Sequence, residues 1–579
     1  MSLAQAQAEL RTIAGALERE YPAFDAGWNA RAVPLAEQVV GKARPVLLLL
    51  AGAMGFILLI GCANVGNLYL GRALARSAET AVRVALGASR RRLVRQWLAE
   101  SLLLSIIGGA ASLALAGLAI RWLVGTGIRE IPRLSEVGMN LRVFGFALGV
   151  TSVAGLVFGL APLLVVGDAD LRRPLTGHAL PSGRRGMARF REALVVSQVA
   201  LSLVLLAGAG LLLRSLARLH DVNPGFDAER VLAVRVDLPS TSYPPAQQTL
   251  FFDELVTRVR GLPGVRSVGA IAWPPIFGFA AGTVFRDLDR PEPPAGQWPV
   301  TELNVVDTGY FRTMRIPLIR GRGFGAADAR GAVPVVVVNR TLARMVWGDA
   351  DPIGRRLRVE WTNPETPIQV IGEVGDVHQG ALDTDIRPMT YFPQAQNPLS
   401  SMNLIVRAAG NPAALLAPIR GVIQEMDPQL PVQETTTMED LLRDSTAGRR
   451  YPMFLLALLA VLAATLAAVG VYGVLAYLVR QRVREIGIRM ALGASRGTIA
   501  QLVLRRAAIV VGIGITLGLL GAAGTTRFMR SLLFEVRATD PVVFGLGAAL
   551  LVFVAVLAAW LPARAATRID PLIALRTDL

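Results

Sequence analysis

The sequence predicts an α-helical multi-pass membrane protein with seven spans and a mixed α+β extracytoplasmic domain. Three observations predict it. The 579 residues are 53% hydrophobic and 18% charged with a mean hydropathy of +0.47, more apolar surface than a soluble core of that length needs. Seven apolar windows are each long enough to cross a bilayer, for which about 20 residues suffice. Between the fourth and fifth windows, residues 215–450 alternate β-branched runs with segments of helical spacing.

Taken in order, residues 1–44 open with SLAQAQAELRTIAGALEREYP, which puts Leu3, Ala6, Leu10, Ile13 and Leu17 on one helical face. This amphipathic helix reads as the remnant of a first extracytoplasmic domain. The spans are Pro45–Leu70, Ser101–Val124, Leu141–Val166, Leu194–Leu213, Met453–Val479, Ala507–Gly524 and Pro541–Leu561. Arginines cluster between the first two (Arg72, Arg76, Arg83, Arg90 to Arg92, Arg95), after the third (Arg172, Arg173, Arg184, Arg185, Arg189, Arg191) and between the fifth and sixth (Arg480, Arg482, Arg484, Arg489, Arg496, Arg505, Arg506). Such loops face the cytoplasm. The expected layout is therefore a first permease unit over 45–166 with a cytoplasmic helix over 72–99 and a cytoplasmic linker over 167–193. A span over 194–213, an outer domain over 215–450, a second unit over 453–561 with a cytoplasmic helix over 480–506, and a cytoplasmic tail over 562–579 complete it. The N-terminus then lies outside with neither a signal segment nor a span ahead of it, so a first span is expected to be missing.

The chain repeats itself. RSAETAVRVALGASR, from Arg76 to Arg90, returns as RVREIGIRMALGASR from Arg482 to Arg496, identical at nine of fifteen positions. Residues 141–162 align with 541–562, sharing Val143/Val543, Phe144/Phe544, Gly145/Gly545 and Pro162/Pro562. Spans one to three thus match spans five to seven, and the chain holds one whole and one truncated copy of a unit.

Within residues 215–450 the runs Val231–Leu238, Val265–Trp273, Val333–Val338, Ile368–Val374 and Met402–Ala408 read as strands, and Pro245–Leu262, Asn339–Trp347 and Asn411–Met426 as helices. Two lobes are expected, or one lobe in which the Pro- and Gly-rich stretch Trp273–Trp298 is a mobile insertion.

Several chemistries are excluded or disfavoured. The net charge of +17 lies in arginines beside apolar runs, a topogenic pattern and not a nucleic-acid face. Cys62 is the single cysteine, and His178, His220 and His378 have no Cys, Asp or Glu at ligand spacing, so no metal or disulfide is expected. Lys42 is the single lysine and Ala43 follows it, which rules out a Walker loop. No catalytic constellation stands out; Asp376 and His378 could pair as acid and base, but a strand-to-loop role suits them better. No carboxylate, histidine or lysine lies inside a span, which disfavours proton- or sodium-coupled transport. Ser197 and Gln198 read as helix-packing groups. Gly514 and Gly518 form a G-x-x-x-G that is either a close-packing seam or ordinary membrane glycine.

In the repeated motif Glu485 and Arg489, like Glu79 and Arg83, are four apart and pair on one helix face, with Ile486, Met490 and Ala491 supplying an apolar side. Gly493 and Gly87 end each helix, and Ser495 and Ser89 can cap the next. The product is a short amphipathic helix and a sharp corner before the next span. It suits either an interfacial helix or a docking site for a cytosolic motor.

EIGIRMALGASR, together with NPGFDAERVL (Asn223–Leu232), LPGV (Leu262–Val265), GYFRTMRIPLIRGRGF (Gly309–Phe324), DPIGRRL (Asp351–Leu357) and VIGEVGDV (Val370–Val377), resembles the MacB-like/FtsX-like ABC-transporter permeases in their tandem, duplicated form. The resemblance implies units of four spans with an outer domain between the first and second. It further implies a cytosolic ABC ATPase dimer that holds the ATP, so that this chain binds no cofactor. It implies docking through Glu79, Arg83, Leu86 and Gly87 and through Glu485, Arg489, Leu492 and Gly493. Such a permease would drive export or extraction of a substrate, with a periplasmic adaptor as a further partner. The alternative is mechanotransmission that regulates a cell-envelope enzyme.

Overall fold

The computed structural model describes residues 2–21, 29–41, 44–75, 90–125, 138, 140–165, 182–277, 281–294, 297–361, 366–432, 435–481, 483–492 and 495–567. It divides into two compact units. One comprises residues 1–42 and 219–447, and the other 43–218 and 448–579.

In the first unit, α1 (Leu3–Glu20) is closed at its start by a capping box. Gln5 N donates to Ser2 Oγ, and Ser2 N donates to Gln5 Oε1. Its apolar face carries exposed Leu3, Ile13 and Leu17. A short α2 (Leu35–Val40) follows.

The remainder of this unit is built on one eleven-stranded sheet. Its elements, in order, are β1 (Val231–Asp237), α7 (Pro245–Arg260), β2 (Val265–Ile271), β3 (Ala281–Asp287), β4 (Val300–Val306), α8 (Tyr310–Met314), β5 (Leu318–Gly321) and β6 (Val335–Asn339). Then come α9 (Arg340–Trp347), β7 (Arg356–Val359), β8 (Ile368–Val374), β9 (Met389–Pro393), β10 (Ser401–Ala408), α10 (Leu416–Met426) and β11 (Thr435–Thr437). Helices α3 to α6 lie earlier in the chain and belong to the second unit.

The sheet runs β11-β1-β10-β2-β4-β3-β7-β8-β6-β9, β5 pairs antiparallel with β8 off that path, and β4 also pairs parallel with β9. The strands β4, β3, β7, β8, β6 and β9 therefore form a closed ring of pairings, while β11, β1, β10 and β2 form an antiparallel extension. The two zones share the bridge Ile271↔Val306, flanked by Ala272 N to Val305 O at 2.9 Å and Asp307 N to Ala270 O at 3.0 Å. The described part of Trp273–Trp298 contributes to that ring. It supplies β3, whose Phe285 is fully buried and whose Asp287 accepts the Trp347 indole N–H at 2.9 Å. Alternation in AGTVFRD holds it in the ring, and the flanking Pro and Gly hid that pattern.

Arg407 on β10 is 5% exposed and donates to Asp227 O at 2.7 Å, Glu229 O at 2.8 Å and Thr313 O at 2.9 Å, pinning the approach to β1. Burial alone would raise the nearby Asp227 carboxyl, but the Glu229 N–H, Arg407 and Arg315 outweigh it and hold it below the usual range. Asp307, where β4 ends, accepts from Ala270 N at 2.7 Å, and burial pushes its carboxyl up to about 6.

The second unit is helical: α3 (Arg44–Ala75), α4 (Arg90–Gly125), α5 (Leu141–Val165), α6 (Ser182–His220), α11 (Met438–Gln481), α12 (Val483–Ala491), α13 (Arg496–Thr525) and α14 (Pro541–Ala566). Six helices are long and apolar enough to cross a membrane among the described residues, within Arg44–Gly71, Leu98–Arg121, Arg189–His220, Arg449–Val479, Arg496–Leu532 and Pro541–Ala565. The third expected span falls on α5, whose apolar stretch over Leu141–Val153 is shorter.

The G-x-x-x-G is a true seam. A Cβ at Gly514 would lie 2.8 Å from Val199 Cβ, and one at Gly518 would lie 2.9 Å from Leu203 Cβ, so α13 rides directly on α6. Across the bundle Asn64 Nδ2 donates to Leu466 O and Ser202 Oγ to Ala463 O, both at 2.9 Å, while fully buried Gln198 lies against Gly470. Ser197 bonds its own helix at Leu194 O. Ion pairs tie α6 to its neighbours near both ends, Glu192 to Arg506 and Arg214 to Asp540.

Candidate functional site

The residues of the repeated motif fold as their pattern dictates. In α12, Ile486 is 2% exposed and packs against Val479 of α11 and Ile499 of α13, with Met490 and Val503 around it. That anchors one side of a nine-residue helix to the two spans it joins. On the other side Glu485 and Arg489 form an ion pair at 2.7 Å with both side chains about half exposed. Ile488 and Leu492 are exposed at 42% and 83%, and Ala491 is exposed as well. Positions 485, 488, 489 and 492 are spaced to share one face, so a charged pair and two apolar side chains point away from the bundle together.

Ser495 accepts from Thr498 N at 3.2 Å and caps α13, making the corner between the two helices. Ala491, expected on the apolar inner side, is exposed instead; five residues past the Ile486 anchor it lies about 140° round the helix from it. Ile488 was not singled out from the sequence, although its place three residues after Glu485 marks the outward face. Gly493 lies outside the described residues, as do Glu79, Arg83, Leu86 and Gly87 of the earlier copy.

Asp376 and His378 do not form an acid–base pair among the described residues. Asp376 Oδ1 accepts from Thr341 N at 2.9 Å, at the start of α9, and His378 N donates to Pro224 O at 3.1 Å. Their roles are those of a strand-to-loop corner.

One residue escaped sequence reasoning altogether. Arg191, which reads as part of a basic linker, is 4% exposed, donates through Nη2 to Asn67 O at 3.0 Å and lies 4.0 Å over the Tyr477 ring.

A bundle of apolar helices with paired charges near the ends of α6, an anchored amphipathic helix between two spans, and an inserted α+β domain together define a multi-pass membrane permease. The FtsX-like permease C-terminal model matches twice, over residues 51–167 and 457–571, and the MacB-like periplasmic core domain model matches residues 193–422. The chain thus carries two FtsX-like permease domains in tandem with a MacB-like periplasmic core domain between them.

It is 26% identical over 405 residues to the pyoverdine export ATP-binding/permease protein PvdT of Pseudomonas syringae pv. syringae, covering 67% of this chain and 57% of that one. It is 28% identical over 279 residues to the macrolide export ATP-binding/permease protein MacB of Chromobacterium violaceum, covering 47% and 43%. The chain thus spans 57–58% of the length of the PvdT relatives it matches. The solved periplasmic region of MacB from Actinobacillus actinomycetemcomitans aligns with a TM-score of 0.27 at 11% identity, over 39% of this chain and 96% of that one.

Proposed function

We propose that this chain is the permease subunit of an ABC exporter or extractor whose ATP is bound and hydrolysed by a separate cytosolic ATPase dimer. The observation that carries the reading is the outward strip Glu485, Ile488, Arg489 and Leu492, on a helix fixed to spans α11 and α13 through Ile486. A motor seated there would move both spans as one body, because the Ile486 anchor leaves α12 no independent freedom. The counterpart around Glu79, Arg83, Leu86 and Gly87 is the second seat, one for each ATPase protomer. In this reading all seven apolar helices cross the inner membrane. Residues 1–44 and 215–450 lie outside and the C-terminus inside, consistent with the arginine-rich flanks. The outer domain acts on a substrate outside the hydrocarbon layer, with a periplasmic adaptor as a further partner. The chain itself holds no cofactor.

The test is copurification of the full chain with its ATPase, comparing wild type with a variant carrying both Arg83→Glu and Arg489→Glu. The expected result is loss of the ATPase from the double variant while the permease elutes unchanged. Retention of the ATPase by the double variant would refute the docking assignment.

A further inference from the structure

A cleft of about 550 Å³ opens on the inner side of α12, where the start of α6, the end of α11 and the first half of α13 converge. Its size falls within the usual range for small-molecule sites. The floor is aliphatic, made by the less exposed lining residues Leu475 and Leu478 of α11, Ile486 of α12 and Val503 of α13. Its mouth is charged: Arg189, Glu192, Arg505 and Arg506 line it, three cations against one carboxylate.

The four do not act alike. Glu192 is 16% exposed and takes Arg506 in a two-pronged pair, Nε to Oε1 at 2.9 Å and Nη2 to Oε2 at 2.8 Å, which neutralises both and fixes them as one wall. Arg189 and Arg505 are exposed and have no ion-pair partner among the described residues. The cleft therefore presents, beside an apolar slot, two guanidiniums with no ion-pair partner among the described residues. It lies where the apolar stretches Arg189–His220 and Arg449–Val479 have their ends, which for helices that cross a bilayer is the level where arginines reach the headgroups.

We propose that this cleft binds an anionic phospholipid, its phosphate between Arg189 and Arg505 and the adjoining part of an acyl chain on the aliphatic floor. The two chemistries coincide in such a lipid. A soluble phosphate would leave the floor uncovered, and a zwitterionic headgroup would bring its own cation against two arginines. Basic pockets between spans near a membrane surface select acidic headgroups in this way. A lipid seated here would also pack against the inner side of Ile486, making it a structural wedge under α12. The inference stands apart from the ATPase reading, since none of Arg189, Arg505 and Leu478 belongs to the outward strip.

The experiment uses the full chain in nanodiscs of phosphatidylcholine mixed with phosphatidylglycerol, released for native mass spectrometry to identify retained lipid. Wild type should retain phosphatidylglycerol in preference to phosphatidylcholine. A variant with Arg189→Gln and Arg505→Gln should lose that preference by about tenfold or more, from two surface charges removed, and Arg189→Lys with Arg505→Lys should restore most of it. Leu478→Trp, which fills the floor, should reduce retention without touching a charge. The proposal is overturned if wild type shows no preference for phosphatidylglycerol, or if the double Gln variant retains it as wild type does. It is likewise overturned if free glycerol 3-phosphate displaces the lipid at equal concentration, because the floor would then contribute nothing.

Discussion

Adding one methyl group to the α13 seam should weaken the bundle, whereas the same methyl two residues away should not. At Gly514 a Cβ would sit 2.8 Å from Val199 Cβ, 2.9 Å from Val199 Cγ1 and 3.1 Å from Val196 O. At Gly518 it would sit 2.9 Å from Leu203 Cβ, 3.0 Å from Ala200 O and 3.1 Å from Ala200 Cα. Most of these atoms are main chain or Cβ, so they cannot rotate aside. With carbon contacts normally at about 3.5–4.0 Å, the two helices must part by roughly 0.7 to 1 Å. Overpacking of this kind costs about 1–3 kcal/mol, and alanine's better helix propensity returns up to about 1 kcal/mol. Gly514→Ala and Gly518→Ala should therefore each destabilise by about 1–2 kcal/mol. Gly512 has nothing within 4 Å of its hypothetical Cβ, so Gly512→Ala should be neutral or slightly stabilising. Unfolding in mixed micelles of rising SDS fraction, followed by helical ellipticity, reads all three. Equal stability of G514A and G512A would show that α6 and α13 do not meet at this seam.

Two further outcomes concern the outer domain. Arg407→Met should destabilise it by about 3 kcal/mol, since three carbonyls, the Thr313 one buried, and the Asp227 carboxylate lose a charged donor together; hydrogen exchange over residues 401–408 in the intact protein measures this. Asp307 is raised from 3.8 to about 6 by burial, so the folded protein binds the extra proton there and the unfolded chain does not. Its contribution to stability is complete below pH 4 and declines as pH rises through 6. Asp307→Asn should remove that slope, read as exchange protection over residues 265–271 across the same pH range.

Six of the long apolar helices, the strand cores of β1, β2, β6, β8 and β10, and the α12 helix were legible in the sequence, because each rests on a pattern that one chain displays by itself. What could not be read depends on a neighbour. β9 is buried along its whole length because β4 and β6 flank it on both sides, yet MTYFP follows Pro388 and ends in Pro393, and so does not look like a central strand. β7, RLRV, has arginines at alternate positions and owes its place to Leu357 and Val359 facing the core. Arg191 looks like any arginine of a basic flank until Asn67 and Tyr477, over a hundred residues away on either side, close around it. The choice between a seam and ordinary glycine at Gly514 likewise needed Val196 and Val199 in place. In the candidate site, the Glu485–Arg489 pairing was legible from spacing, whereas the outward direction of Leu492 follows from Ile486 being buried.

The pairing of β1 with β11 has a mechanical consequence. The ladder is three residue pairs long and antiparallel, with Leu232 opposite Thr437 and Val234 opposite Thr435. The polypeptide enters this sheet just before Val231 and leaves it just after Thr437, so both leads emerge from the same end of the ladder. A tensile load drawing those leads apart would peel the strands one rung at a time, the weakest loading mode a ladder has, and each rung resists with only about 1 kcal/mol. Arg230 N donates to Glu439 Oε1 at 3.1 Å across that very end, a clasp at the point where peeling would begin. A load that carries the two leads in the same direction leaves the rungs unstrained. The weave of the sheet thus favours common-mode motion of its entry and exit and penalises their separation.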